Sequence, residues 1–221
     1  MGLWRSSGDW DDYEWFRLAD VVDAPVARAR SDDPDSADDA GVAMGRWLVD
    51  KLRAEPLWSP DAGRRILLVD LDNLRAAPSR LRARLTVVVE LAREADHAAF
   101  AGQAGAVRRS RPWLAEFATD VQEVPDGSDL ADHALLDRAS AISAKSVQFV
   151  VVSNDGIFAS LADRGPIGLL SPGSDALSDR LRDAASRTID LTALEKQAAA
   201  ERAKAQRAAR RRSRKRAGVT T

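Results

Sequence analysis

Between Arg64 and Leu191 the apolar positions switch repeatedly between short unbroken runs and helical spacing. Ile66, Leu67, Leu68 and Val69 form the kind of run that a strand buried on both faces needs. Pro78-Ser79 then opens a helix on which Leu81, Leu85, Val88, Val89 and Ala92 recur at helical spacing. A second strand is predicted over His97–Ala101. Gly102 and Gly105 predict an irregular stretch, followed by a helix over Trp113–Ala118. Val121–Val124 reads as a third strand, closed by Pro125-Asp126-Gly127, and Ser128–Ala139 as a helix. Val147–Ser153 (VQFVVVS) is the strongest strand pattern and therefore central. A short helix from Asp155 to near Gly165, a fifth strand at Ile167–Leu170, a helix over Leu177–Ala185 and an edge strand at Thr188–Leu191 complete the series. This alternation predicts an α/β fold with a doubly wound, mostly parallel sheet of about five strands.

The flanks follow other patterns. Residues 1–60 read as an acidic extension in which Trp4, Trp10, Trp15 and Phe16 stand among carboxylates. One helix is predicted through Trp15, Leu18, Ala19 and Val22. A second runs over Ala40–Ala54, with Val42, Trp47, Leu48 and Leu52 on one side. The acidic stretch Ser31–Asp39 between them predicts a loop or linker. The tryptophans would pack this region on the main domain or dock a partner protein. Residues 194–221 are rich in helix formers but nearly devoid of large apolar side chains, which predicts a solvated, basic helical tail.

Charge sharpens that division. The 221 residues sum to −1, yet residues 1–60 hold 7 Lys/Arg against 13 Asp/Glu, and residues 194–221 hold 10 against 2. The tail ends in Arg210, Arg211, Arg212, Arg214, Lys215 and Arg216, a run that either keeps the chain soluble or contacts a polyanion such as RNA, where cations gain from counterion release. The absence of cysteine excludes disulfides, thiolate metal sites and a Cys nucleophile. No apolar run approaches the roughly 18 residues of a membrane span, so a soluble, cytoplasmic protein is expected.

Three elements bring acids to one rim. Asp70 ends the first strand, Asp155 follows Ser153-Asn154 at the end of the strong strand, and Asp129 and Asp132 open the helix over Ser128–Ala139. Each has an ordinary reading, as a helix cap or, for Asp72-Asn73, as a turn. In an open parallel sheet, however, ligands bind outside the carboxyl ends of the strands. Oxygen ligands gathered there without His or Cys suit Mg2+ or Mn2+, and such a site can activate water against a phosphate ester. His133, beside Asp132, reads as a surface residue.

Over residues 64–191 the chain resembles an NYN domain, the PIN-like ribonuclease fold. An apolar strand ending in Asp-x-x-Asn is matched by Asp70-Leu71-Asp72-Asn73. The acidic helix start is matched by the segment Gly127 to Leu136. A strand ending in Ser-Gly/Asn-Asp is matched by Ser153-Asn154-Asp155, with Phe158 as the aromatic that follows. The resemblance implies that the first and fourth strands are neighbours. It also implies a Mg2+- or Mn2+-dependent endoribonuclease in which Asp70, Asp132 and Asp155 are catalytic and hold the metal. Asn73, Asp129, Ser153 and Asn154 would then contact substrate or support those ligands. Where many members of that family carry a further acid, this chain has Ile157 and Ala159, which makes a non-catalytic RNA-binding or adaptor protein the alternative.

A rival reading is a haloacid dehalogenase-like phosphatase, with Asp70 as nucleophile, Asp72 as general acid, Asn154-Asp155 as the later acidic motif and Lys145 as its lysine. That reading leaves Asp129 and Asp132 without a role.

Overall fold

Strand β1 (Arg64–Asp70) is buried from Ile66 onward at a few per cent exposure or less, as its unbroken apolar run requires. The computed structural model describes residues 35–143 and 146–217. Six strands form a single sheet in the order β3-β2-β1-β4-β5-β6, every pairing parallel. The others are β2 (His97–Gln103), β3 (Val121–Val124), β4 (Val147–Val152), β5 (Ile167–Ser171) and β6 (Arg187–Asp190). The chain winds outward from β1 to β3, returns to the other side of β1 for β4, and winds outward again. This is a doubly wound parallel α/β fold whose order reverses between β1 and β4. The expected edge strand is present, and the sheet has six strands rather than about five.

Side chains alternate across the sheet with the period of two that strand geometry imposes. Leu67, Val69, Val150 and Val152 face one layer, and Ile66, Leu68, Phe149 and Val151 face the other. The first layer is covered by α1 (Asp35–Ala54), α2 (Pro78–Glu94) and the start of α6 (Leu191–Ala217). The second is covered by α4 (Leu130–Ser140), the 3-10 segment Gly156–Asp163 and α5 (Asp179–Ala184).

Three parts of the sequence reading need correction. Helix α1 begins at Asp35, inside the stretch expected to be a linker. Acids are favoured in the first turns of a helix, where the macrodipole is positive, so the carboxylates mark a helix start rather than a break. Leu48, Val49, Leu52, Leu57 and Trp58 share a core with Val69 and Leu85, so α1 belongs to the sheet layer that α2 also covers. Gly41 and Gly45 allow that packing: a Cβ at either would come within 2.8 Å of Ser79 O or Thr86 Cβ. The tryptophan-containing segment before residue 35 and its predicted helix lie outside the described residues, as does Lys145.

The second correction concerns the segment after β2. Helix α3 (Ala104–Ser110) forms where an irregular stretch was expected, because Ala106, Val107 and Ser110 are buried against the sheet. Pro112, which lacks an amide proton, stops it. The helix expected at Trp113–Ala118 is instead the 3-10 segment Ala115–Asp120.

The third correction concerns the tail. Helix α6 follows β6 without a loop, and its first turns are docked rather than solvated: Leu191, Glu195 and Ala198 are buried. Glu195 carries this docking. Its Oε1 accepts from Arg84 Nε at 2.7 Å, and its Oε2 accepts from Arg80 Nε at 2.8 Å. Arg84 is itself buried and donates to Pro172 O, Thr192 Oγ1 and Arg75 O at 3.0, 3.0 and 3.3 Å. Further out, Trp47 Nε1 donates to Glu201 Oε2 at 2.9 Å. Among the described residues no helix is long and apolar enough to cross a membrane.

Candidate metal centre

The register places Val69 opposite Val152, so the residues that follow them leave the sheet side by side at the point where the strand order reverses. Asp70 therefore meets the Ser153–Asp155 turn. Its carboxylate is buried and fully directed. Oδ1 accepts from the amides of Asp72 and Asn73 at 2.9 and 3.4 Å. Oδ2 accepts from Asn73 Nδ2 and from the Ser153 hydroxyl, the latter at 3.3 Å. Ser153 Oγ in turn accepts from the Asp155 amide at 3.1 Å, so one hydroxyl ties the ends of β1 and β4 together. Burial pushes the Asp70 carboxyl above its ordinary range; the Asn73 and Asp72 hydrogen bonds work against that shift, and the Asp72 charge adds to it.

Asp155 caps the 3-10 segment after β4, its Oδ1 accepting from the Ile157 amide at 2.9 Å. Asp129 occupies the cap position of α4 but does not act as a cap. Its backbone is left-handed (φ 62°, ψ 3°), and its side chain makes no capping hydrogen bond. Among the described residues it is the one non-glycine with positive φ. Aspartate is one of the few side chains that visits this region, at a cost of about 1–2 kcal/mol. Asp132, in the first turn of α4, is 6% exposed, and its Oδ1 is buried without a hydrogen-bond partner.

Asp129, Asp132 and Asp155 each offer an oxygen, and the three oxygens lie within 4.8 Å of one another. Such an acidic triad could hold a metal ion. Asp132 records the strain of the arrangement: its pKa is pushed up to about 7, first by burial and then by the charges of Asp70, Asp155, Asp129 and Asp72. A buried, unpartnered carboxylate oxygen facing four other acids is the situation a cation would relieve, and an all-oxygen donor set suits a hard one.

The structure thus gathers the expected acids but redistributes them. Asp129 joins Asp132 and Asp155 in the closest group, while Asp70 stands beside them, held by Asn73 and Ser153. Asn154 faces away. Its Oδ1 accepts from Ser171 Oγ at 2.6 Å and its Nδ2 donates to Gly173 O at 3.1 Å, fastening the end of β4 to β5. Asp72 Oδ2 accepts from the Gln103 amide at 2.9 Å, and its Oδ1 lies 3.7 Å from Arg75. His133 is exposed. Sequence reasoning missed Gln103, which also reaches Gly127 O at 3.5 Å and so bridges the two loops flanking the acids. A lone polar residue closing an apolar strand was the available signal.

No family model matches the sequence, and no curated protein matches it. Among solved structures, the chain is similar to a protein of unknown function from Vibrio parahaemolyticus. The two share 16% identity over 60% of this chain and 95% of that chain, with a TM-score of 0.37.

Proposed function

We propose that this protein is a metal-dependent phosphodiester hydrolase acting on RNA, as the NYN-like motifs imply. One observation carries the reading: Asp129, Asp132 and Asp155 converge within 4.8 Å at the carboxyl edge of the sheet, with the Asp132 Oδ1 buried and unpartnered. Asp129, Asp132 and Asp155 would hold Mg2+ or Mn2+, with Asp70 adjoining; the ion would supply charge neutralisation and an activated water. The chain's own part is positioning. Ser153 and Asn73 fix both the place and the rotation of the Asp70 carboxylate. The Ile157 amide orients Asp155, and the left-handed backbone at Asp129 leaves that carboxylate free of capping duty.

The test is incubation of the purified full chain with mixed single-stranded and structured RNA in Mn2+, Mg2+ or EDTA, beside Asp155→Asn. Cleavage that requires both the ion and Asp155 is the expected result. RNA bound but uncut in every metal would replace this reading with that of an RNA-binding protein, which Ile157 and Ala159 in place of further acids would then explain.

A further inference from the structure

The rim holding Asp70, Asp72, Asp129, Asp132 and Asp155 repels a polyanion, so a phosphate chain reaching it needs a cationic flank to offset that field. Helix α3 provides one. It starts directly after Gln103, whose amide holds Asp72 and whose side chain reaches Gly127 O. Its inner side buries Ala106, Val107 and Ser110, which leaves Arg108 and Arg109 exposed, and Arg111 is exposed just beyond. Among the described residues none of these three guanidinium groups has an ion pair or side-chain hydrogen bond, so all three are available to an anion. Arg109 folds back along the helix toward the rim: its Nη1 lies 3.4 Å from where a Cβ on Gly105 would sit.

Beside these cations stands Trp113, 37% exposed and one of two large apolar side chains in the described residues to be so displayed. Its backbone is fixed. The Arg111 amide donates to Val107 O at 2.8 Å, the Trp113 amide to Ser110 O at 3.0 Å, and Leu114 is buried on the other side. A part-exposed indole on a hydrogen-bonded backbone, close in sequence to three guanidinium groups, has the chemistry of a base-stacking platform on a phosphate track. Bases in a duplex are already stacked, so such a platform selects unpaired strands.

We infer that Arg108, Arg109, Arg111 and Trp113 form a binding track for single-stranded RNA that leads over α3 to the acid cluster. As far as the strand's destination is concerned, this rests on the hydrolase reading; the binding itself does not.

The test separates the two. A fluorescein-labelled oligouridine 20-mer is titrated with the full chain in EDTA, so that no cleavage is involved, across a salt series, with an RNA duplex of equal length alongside. The probes are wild type, Trp113→Ala, Trp113→Phe and the triple variant Arg108→Gln/Arg109→Gln/Arg111→Gln. Trp113→Ala is expected to weaken single-strand binding about tenfold, with Trp113→Phe restoring most of it and duplex binding little changed. The triple variant should flatten the slope of log K against log salt by about 2, near 0.7 per lost phosphate contact. Unchanged affinity and slope in both the alanine and the triple variant would overturn the track. So would equal competition by poly-glutamate, which would mark an acidic protein contact instead. Binding that depends on these residues without cleavage in any metal would leave the track standing and remove the hydrolase reading. Metal-dependent cleavage with binding indifferent to them would do the reverse.

Discussion

The Ser153 hydroxyl lies 3.3 Å from Asp70 Oδ2 and joins the ends of two strands that are 83 residues apart in sequence. The contact exists because β1 and β4 are neighbours at the reversal of strand order, and it sets the distance between Asp70 and the turn that carries Asp155.

On the proposed function, Asp70→Asn and Asp155→Asn should abolish metal-dependent RNA cleavage while circular dichroism shows both variants folded. Asn73→Ala should be milder, a loss of about 10–100-fold, since Asn73 orients a carboxylate rather than supplying one. Cleavage rates for the three purified variants check this, and full activity in either Asp variant contradicts the site.

Asp132 makes stability depend on pH. Its folded-state pKa is raised to about 7 from 3.8, so between those values the folded chain keeps a proton that the unfolded chain has released. Stability contributed in this way is present at low pH and is lost as pH rises through 7. In EDTA, the Tm of the wild-type chain should therefore fall between about pH 5 and pH 8, and Asp132→Asn should flatten the fall and melt higher at pH 8. Asp70, also raised by burial, leaves part of the fall in the variant, so the difference between the two profiles reads Asp132 together with its coupling to the neighbouring acids.

The same acids predict the response to metal. Mn2+ or Mg2+ should raise the Tm of the wild-type chain, and more at pH 8 than at pH 5, because protons compete for the ligand oxygens. Asp132→Asn should lose most of that increase. Calorimetry with and without the ion reads it directly.

Glu195→Ala should be far more damaging than its place in an alanine-rich, basic segment implies. It leaves Arg84, buried between α2, α6 and the loop after β5, without its carboxylate. Breaking a buried pair on one side costs about 3–5 kcal/mol, on the order of 10 °C in Tm for a chain of this size. Replacing both partners, as Arg84→Met/Glu195→Leu, should recover much of the loss. Thermal melts of the single and double variants test the coupling.

The basic arm must be removed beyond its docked part. Deleting residues 205–221 spares Leu191, Glu195, Ala198 and Glu201, whereas deleting from 194 removes the buried pair and confounds binding with folding. The shorter deletion should weaken RNA binding most at low salt, each lost contact lowering the slope of log K against log salt by about 0.7. Equal slopes for deleted and full chains would exclude the arm from binding.

The strands were readable because residues buried on both faces must be apolar without interruption, and Ile66–Val69 and Val147–Val152 satisfy that condition in isolation. Asp70, Asp132 and Asp155 were readable for a related reason: each is an acid placed where an apolar element begins or ends. What was hidden depends on contacts distant in sequence. Asp129 reads as an N-cap, and only the fold shows that its backbone is left-handed and its carboxylate makes no capping hydrogen bond. Asn154 reads as contacting substrate or supporting the acids, and only the fold shows that its amide is bonded to Ser171 and Gly173 at the end of β5. Arg84 did leave a trace. It falls on the stripe of Leu81, Leu85 and Val88, where a charge is tolerated only with a buried partner, and that partner lies 111 residues away in a segment with no apolar signal of its own.

Helix α6 runs from Leu191 to Ala217 with no interruption, footed at Glu195. At 1.5 Å per residue, Arg210 to Arg216 stand about 22–32 Å along its axis from that footing. While that helix is unbroken the arm is a boom rather than a leash, holding its tip at a set reach from Glu195. Oligonucleotides too short to bridge that reach would engage one station or the other, and only longer strands would gain from both.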